Sequence, residues 1–175
     1  MIDYAFGVTL GPLSPVKSTA LEWRNHPAIY KWCRQYEPIE SWNHERWVTS
    51  LADRSDVKMY GIYASPDLAV GVCGLTSIDL INRHAEFSLY IAPDFHRKGF
   101  GIKALKTLCA HGFNGIGLCH IFGETFDGNP AASMFERVGF KKEGSRRSFY
   151  FREGKFIDAH LYSILAYEFK TKWSC

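Results

Sequence analysis

No run of apolar residues in this 175-residue chain approaches the roughly 20 needed to cross a bilayer as a helix, so a membrane-spanning helix is excluded. The first residues, Met1-Ile2-Asp3-Tyr4, lack the basic-then-apolar order of a secretion signal, and a cytoplasmic location is expected. Cysteine is sparse: five residues, an odd number, with no C-x-x-C pair. That argues against a disulfide framework and a zinc site, and Cys73, Cys109 and Cys119 read as small buried hydrophobes. The seven histidines show no H-x-x-x-H spacing, so no metal is expected. Charge of one sign is also lacking. A net +3 is too weak for a nucleic-acid surface, and no nucleic-acid recognition motif occurs. Repeats, low-complexity tracts and linkers are absent, and residues 1–175 are expected to form one domain.

Aromatic residues, by contrast, are plentiful at 15%. The pattern along the chain predicts a first strand over residues 5–10 and a helical stretch from Ser18 to about Cys33, split at Pro27. A further helix is expected over Ser41–Leu51 with Ser41 as its cap. The middle is strand-rich: Met59–Ala64, then Leu68–Leu75 extended by Thr76–Leu80, then Ala85–Ile91, with turn residues between them. A helix over Ile102–Phe113, a strand over His120–Phe126 and a short helix over Pro130–Val138 closed by Gly139 follow. Ser148–Phe151 and His160–Leu165 read as a closing antiparallel pair. The expected class is α+β, with a mixed, mostly antiparallel central sheet flanked by helices.

The stretch from Leu89 to Leu105 is the most informative. A strand runs into His96-Arg97-Lys98-Gly99-Phe100-Gly101 and then opens a helix at Ile102. The first amides of a helix are unpaired and sit at the positive end of its dipole, so this start favours an anion. Glycine lets the backbone come close to a phosphate, and Arg97, Lys98 and Lys103 add charge. The spacing matches neither a Walker loop nor the dinucleotide G-x-G-x-x-G.

His96-Arg97-Lys98-Gly99-Phe100-Gly101 resembles the [QR]-x-x-G-x-[GA] pyrophosphate motif of the GNAT acetyltransferases, with His96 where Gln or Arg is usual. Asn129 to Phe140 is similar to that family's Asn-to-Gly-Phe block, one residue shorter here. Leu21-Glu22-Trp23-Arg24-Asn25-His26-Pro27 resembles the opening of a branch near the ribosomal-protein Nα-acetyltransferases. That branch includes enzymes acting on nucleotide-linked amino sugars in pseudaminic acid synthesis.

The resemblance implies the GNAT fold and acetyl-CoA as co-substrate, bound in a splay between the parallel strands Ala85–Ile91 and His120–Phe126. Backbone amides around Leu89, Tyr90 and Ile91 would polarise the acetyl carbonyl. His96, Arg97, Lys98, Gly99, Phe100, Gly101 and Ile102 would hold the pyrophosphate. Asn129, Ser133 and Phe135 would flank the pantetheine arm and thiol. Glu86 is the expected general base, with His84, Glu124 and Asp127 as alternatives. The usual acid position falls on Phe135, which cannot donate; Tyr90 or Tyr162 substitutes, or the thiolate leaves unprotonated. Trp23, Arg24, Asn25 and Trp32 are the expected acceptor residues, although the tryptophans read equally well as core. The acceptor is expected to be an amino group on a nucleotide-linked amino sugar. A protein N-terminus, a polyamine, and a non-catalytic CoA-binding role remain as alternatives. A homodimer is an arrangement common in the group.

Overall fold

The β-branched and aromatic runs in the middle of the chain make strands because they can be covered on both sides. Val70, Val72, Cys73 and Leu75 are all fully buried. The computed structural model describes residues 1–173. Seven strands form one sheet in the order β1-β2-β3-β4-β5-β7-β6. They are β1 (Thr9–Gly11), β2 (Lys58–Ser65), β3 (Leu68–Asp79), β4 (His84–Ile91), β5 (His120–Phe126), β6 (Lys141–Arg152) and β7 (Lys155–Leu165). Every neighbouring pair is antiparallel except β4 and β5.

The helices are α1 (Lys17–Arg24), α2 (Pro27–Tyr30), α3 (Ser41–Ser50), α4 (Phe100–Ala110), α5 (Ala131–Val138) and α6 (Ala166–Trp173). Pro27 separates α1 from α2 and supplies the first residue of α2, where its missing N–H costs nothing. The His26 ring caps α2 by accepting from the Ala28 amide at 3.1 Å. Helix α4 lies on the main core with Ala104, Leu105, Leu108 and Cys109 fully buried. A smaller cluster of Leu13, Ala20 and Val72 carries α1 and α3, with Trp23 and Trp47 packed against it.

The expected mixed, mostly antiparallel sheet forms, but two local readings fail, at residues 5–10 and at Cys119. Of residues 5–10 only Thr9 and Leu10 are strand, in β1, because Ala5 and Gly7 take positive φ and turn the chain. The basic run from Lys141 to Arg147 is solvent-facing and forms the first half of an edge strand. Charged side chains are how an exposed edge avoids pairing with another chain. Residues Ala166–Trp173 form α6, with Phe169 fully buried. Cys73 and Cys109 are buried as expected, whereas Cys119 is exposed; Cys175 lies outside the described residues. No helix is long and apolar enough to cross a membrane among the described residues.

Candidate active site

Strands β4 and β5 pair only at His84–His120, Ala85–Ile121 and Glu86–Phe122. Beyond Glu86 they part. The Phe87 ring lies over Gly123, where an added Cβ would meet it at 2.4 Å. That ring also meets Phe135 and Phe140 edge-on at 5.0 and 5.1 Å between centroids, and Phe135 meets Tyr162 at 5.6 Å. This aromatic wedge holds the splay open. Phe135, expected beside the thiol, is 5% exposed and packs inside the core against Phe87 and Phe140.

Past the wedge, β4 keeps its pairing with β3 from Phe87 to Ile91. The Ala92 amide donates to Val70 of β3, so by the alternation of a strand the amides of Leu89 and Ile91 face the open side. The Ile91 carbonyl on that side accepts from Nε2 of His96 at 2.7 Å. His96 is thereby fixed to the end of β4, and its ring braces the loop.

The loop then delivers the start of α4. Arg97 has φ 60° and Gly99, the N-cap, has φ 83°. Such a conformation suits glycine and lets the first turn open without a capping side chain. Among the described residues the N-cap Gly99 offers the exposed helix start no side-chain cap. Arg97 and Lys98 are exposed and form no ion pair among the described residues. The second glycine has a different use. A Cβ on Gly101 would meet Sδ of Met134 at 2.6 Å, so Gly101 is what lets α5 approach α4. Free amides, positive dipole and two unpaired cations make this end of α4 suited to a diphosphate.

Across the splay, carboxylates and guanidinium groups meet. Glu86 and Glu124 both bind Arg34, which reaches in from the segment between α2 and α3. Arg34 Nη1 donates to Glu86 at 3.1 Å and Nε to Glu124 at 2.7 Å. Glu124 also accepts from Arg146 at 3.1 Å and from the Tyr150 hydroxyl. A bulge in β6 between Arg146 and Tyr150, with Ser148 at φ 50°, aims Tyr150 at Glu124. Burial alone would raise the Glu124 carboxyl, but the Tyr150 and Arg34 hydrogen bonds, with the charges of Arg34 and Arg146, outweigh it and hold it below the ordinary value. The hydrogen bond to Glu86 holds the Arg34 proton more tightly than usual.

Two cavities flank this cluster. One of about 680 Å³ runs from Glu86 and the β4 segment Phe87–Tyr90 to Arg24, Trp32 and Trp47. The other, about 440 Å³, lies between Glu124, Glu143, Arg146 and Tyr162. Arg34, Glu86 and Glu124 line both.

The remaining expected residues divide sharply. Glu86, Leu89, Tyr90, Arg24 and Trp32 line the larger cavity. Asn25 does not serve it. Its amide clasps the backbone of Ile39, donating at 2.8 Å and accepting at 2.7 Å, and so ties the end of α1 to the segment before α3. Trp23 packs into the smaller core. The Tyr90 hydroxyl donates to the Ala20 carbonyl at 3.2 Å, and burial raises its pKa; it is a poor proton donor to a thiolate. Asn129 caps α5 by accepting from the Ala131 amide at 2.9 Å, and Ser133 donates to Pro130. Phe100 and Ile102 pack against the core at the head of α4.

Arg34, Arg146, Tyr150 and Arg152 escaped the sequence reading. They lie far from Glu86 in the chain and carry no shared motif: pairing of β6 with β7 places Arg146, Tyr150 and Arg152, and Arg34 comes in on the segment between α2 and α3.

A family model described as an acetyltransferase (GNAT) domain matches residues 8–141. The uncharacterized N-acetyltransferase YoaA of Bacillus subtilis is 30% identical over 97 residues, 55% of each chain, so the chain spans little more than half of that relative. A spermidine N(1)-acetyltransferase of Vibrio cholerae is 29% identical over 132 residues, 74% of this chain and 76% of the relative. The crystal structure of spermidine N-acetyltransferase from Vibrio cholerae in complex with CoA and spermine superposes with a TM-score of 0.85. It covers 93% of this chain and 98% of that one at 24% identity.

Proposed function

The chain belongs to the acetyltransferase (GNAT) family, and from that premise we propose that it transfers the acetyl group of acetyl-CoA to a primary amine. The observation that carries this reading is the parting of β4 and β5 beside an uncapped, cation-flanked helix start. The amides opening α4, with Arg97 and Lys98, would hold the diphosphate of acetyl-CoA. The outward amides of Leu89 and Ile91 would polarise the thioester carbonyl as the amine attacks and negative charge builds on oxygen.

Glu86 stands one residue before the open part of β4 and lines both cavities. An alkylammonium acceptor must lose a proton before it attacks, and Glu86 is placed to take it, directly or through a water. The ammonium competes with Arg34 for the two carboxylates. Of the residues expected to reprotonate the sulfur, Tyr90 is engaged with the Ala20 carbonyl and Phe135 has no hydroxyl, whereas the Tyr162 hydroxyl lies 3.5 Å from Glu136 in the smaller cavity. Tyr162 donates the proton, or the sulfur leaves as thiolate, acceptable for a thiol of pKa about 8.5.

Among acceptor classes, the relative named for spermidine acetylation supports a polyamine over the nucleotide-linked amino sugar suggested by residues 21–27. The test is thiol release from acetyl-CoA with spermidine, N-terminal peptides and a nucleotide-linked amino sugar, scored beside Glu86→Gln. Release with one class and loss in the variant is expected. CoA binding with silence on every acceptor would support the non-catalytic alternative.

A further inference from the structure

We infer that the acceptor carries an anionic group, carboxylate or phosphate, beside its reacting amine, and that Arg24 binds that group. The inference rests on the acetyl-transfer reading above and departs from the polyamine acceptor that the relative supports. Three observations carry it.

The first is charge balance. The two cavities are lined by Glu86, Glu124 and Glu143, but equally by Arg24, Arg34 and Arg146. A polycation gains little from a site whose acids are already matched, whereas a molecule with one cation and one anion can use both sets.

The second is Arg24 itself. It ends α1, lines the larger cavity, and donates from Nη2 to the Gln35 carbonyl at 3.1 Å. Its Nη1 is buried without a hydrogen-bond partner among the described residues. A guanidinium fork with one arm committed and one unmet is suited to a planar or tetrahedral oxyanion.

The third is the strap formed by residues 33–36. The Arg34 guanidinium rests on Glu86 and Glu124, and the carbonyl of the next residue, Gln35, rests on Arg24. The strap thus places a cation on the acids and an oxygen on Arg24. It does so from outside, with the Arg34 side chain 52% exposed over Glu86 and Glu124 at 15% and 5%. Arg152 anchors its backbone by donating to the Arg34 carbonyl at 2.8 Å, and the Tyr36 hydroxyl donates to Glu153 at 2.7 Å. An amine with an anion about one arginine side chain away would replace both strap contacts together. Its ammonium would take the place of Arg34 on the acids, and its oxygens that of Gln35 on Arg24.

The experiment compares kcat/KM for matched acceptors in the wild type and in Arg24→Gln and Arg24→Lys. The carboxylate arm is 4-aminobutyrate against 4-aminobutanol. The phosphate arms are 3-aminopropyl phosphate against 3-aminopropanol, and a nucleotide-linked amino sugar against the free amino sugar. Spermidine is the reference without an anion. The wild type is expected to prefer the anionic member of at least one pair by roughly tenfold or more, the scale of a charged hydrogen bond. Arg24→Gln should abolish that preference and Arg24→Lys restore part of it. The arm that responds names the anion. CoA binding by calorimetry and a thermal melt show that each variant is folded.

Preference for spermidine over every anionic acceptor, or an anion preference unchanged in Arg24→Gln, overturns the inference and leaves the acetyl-transfer reading intact. Absence of turnover with all acceptors, including spermidine, overturns the acetyl-transfer reading and the inference with it.

Discussion

The two sides of the β4–β5 opening are built by different means. On the α4 side, seventeen consecutive residues from Leu89 to Leu105 supply strand, loop, cations and helix start. On the other side, Arg24, Arg34, Glu86, Glu124, Arg146 and Tyr150 come from distant parts of the chain and meet only when the sheet is complete. A ligand half shared by many reactions can be held by one local motif, mostly through backbone. A half that must be told apart from similar amines needs side chains, and these are free to vary one at a time.

Mutations should separate the two sides. The largest effect is expected for Glu86→Gln. Removing a general base lowers kcat by about 10²–10⁴-fold, while calorimetry should show CoA affinity unchanged. Weakened CoA binding with kcat intact would place Glu86 on the wrong side of the comparison. Phe87→Ala comes next. It empties the wedge shared by both sides and should lower unfolding free energy by about 3–5 kcal/mol in a denaturant melt. A smaller loss would mean that Phe135 and Phe140 hold the splay without it.

Gly99→Val forces a β-branched residue into φ 83°. The strain, about 1–3 kcal/mol, should weaken CoA binding by roughly tenfold to a hundredfold. At saturating CoA the acceptor KM should hold.

The smallest effect is on pH dependence. Glu124 titrates below its ordinary value in the folded protein. Its contribution to stability is present above the unfolded carboxylate value and lost as pH falls through the lower folded one. A melt series across that acid window should show a slope that Glu124→Gln flattens, and Gly99→Val should leave the slope alone.

Legibility in the sequence follows the same division. The strand runs up to β5 and the helix start at the glycines were readable because each depends on residues near in the chain, whereas the parallel pairing of β4 with β5 came only from the family resemblance. Asn25 was expected as an acceptor residue from the resemblance of residues 21–27; its partner is Ile39, fourteen positions on. Asn129 was read as a pantetheine contact, and the structure uses it as a cap two residues away. The basic stretch from Lys141 to Arg147 gave no strand signal, since an exposed edge needs no apolar alternation. Arg34 was the hardest to find. Nothing beside it in the chain announces an arginine whose two carboxylates lie 52 and 90 positions away.

The most direct measurement of the central claim is a calorimetric titration of the protein with CoA at two salt concentrations, repeated with Arg97→Ala/Lys98→Ala. The expected result is one site per chain, weakened by salt and weakened further in the double variant, as a diphosphate held by amides and two cations requires. No binding at either salt concentration, or binding that ignores both salt and the double substitution, would contradict the assignment of the α4 start as the site for acetyl-CoA.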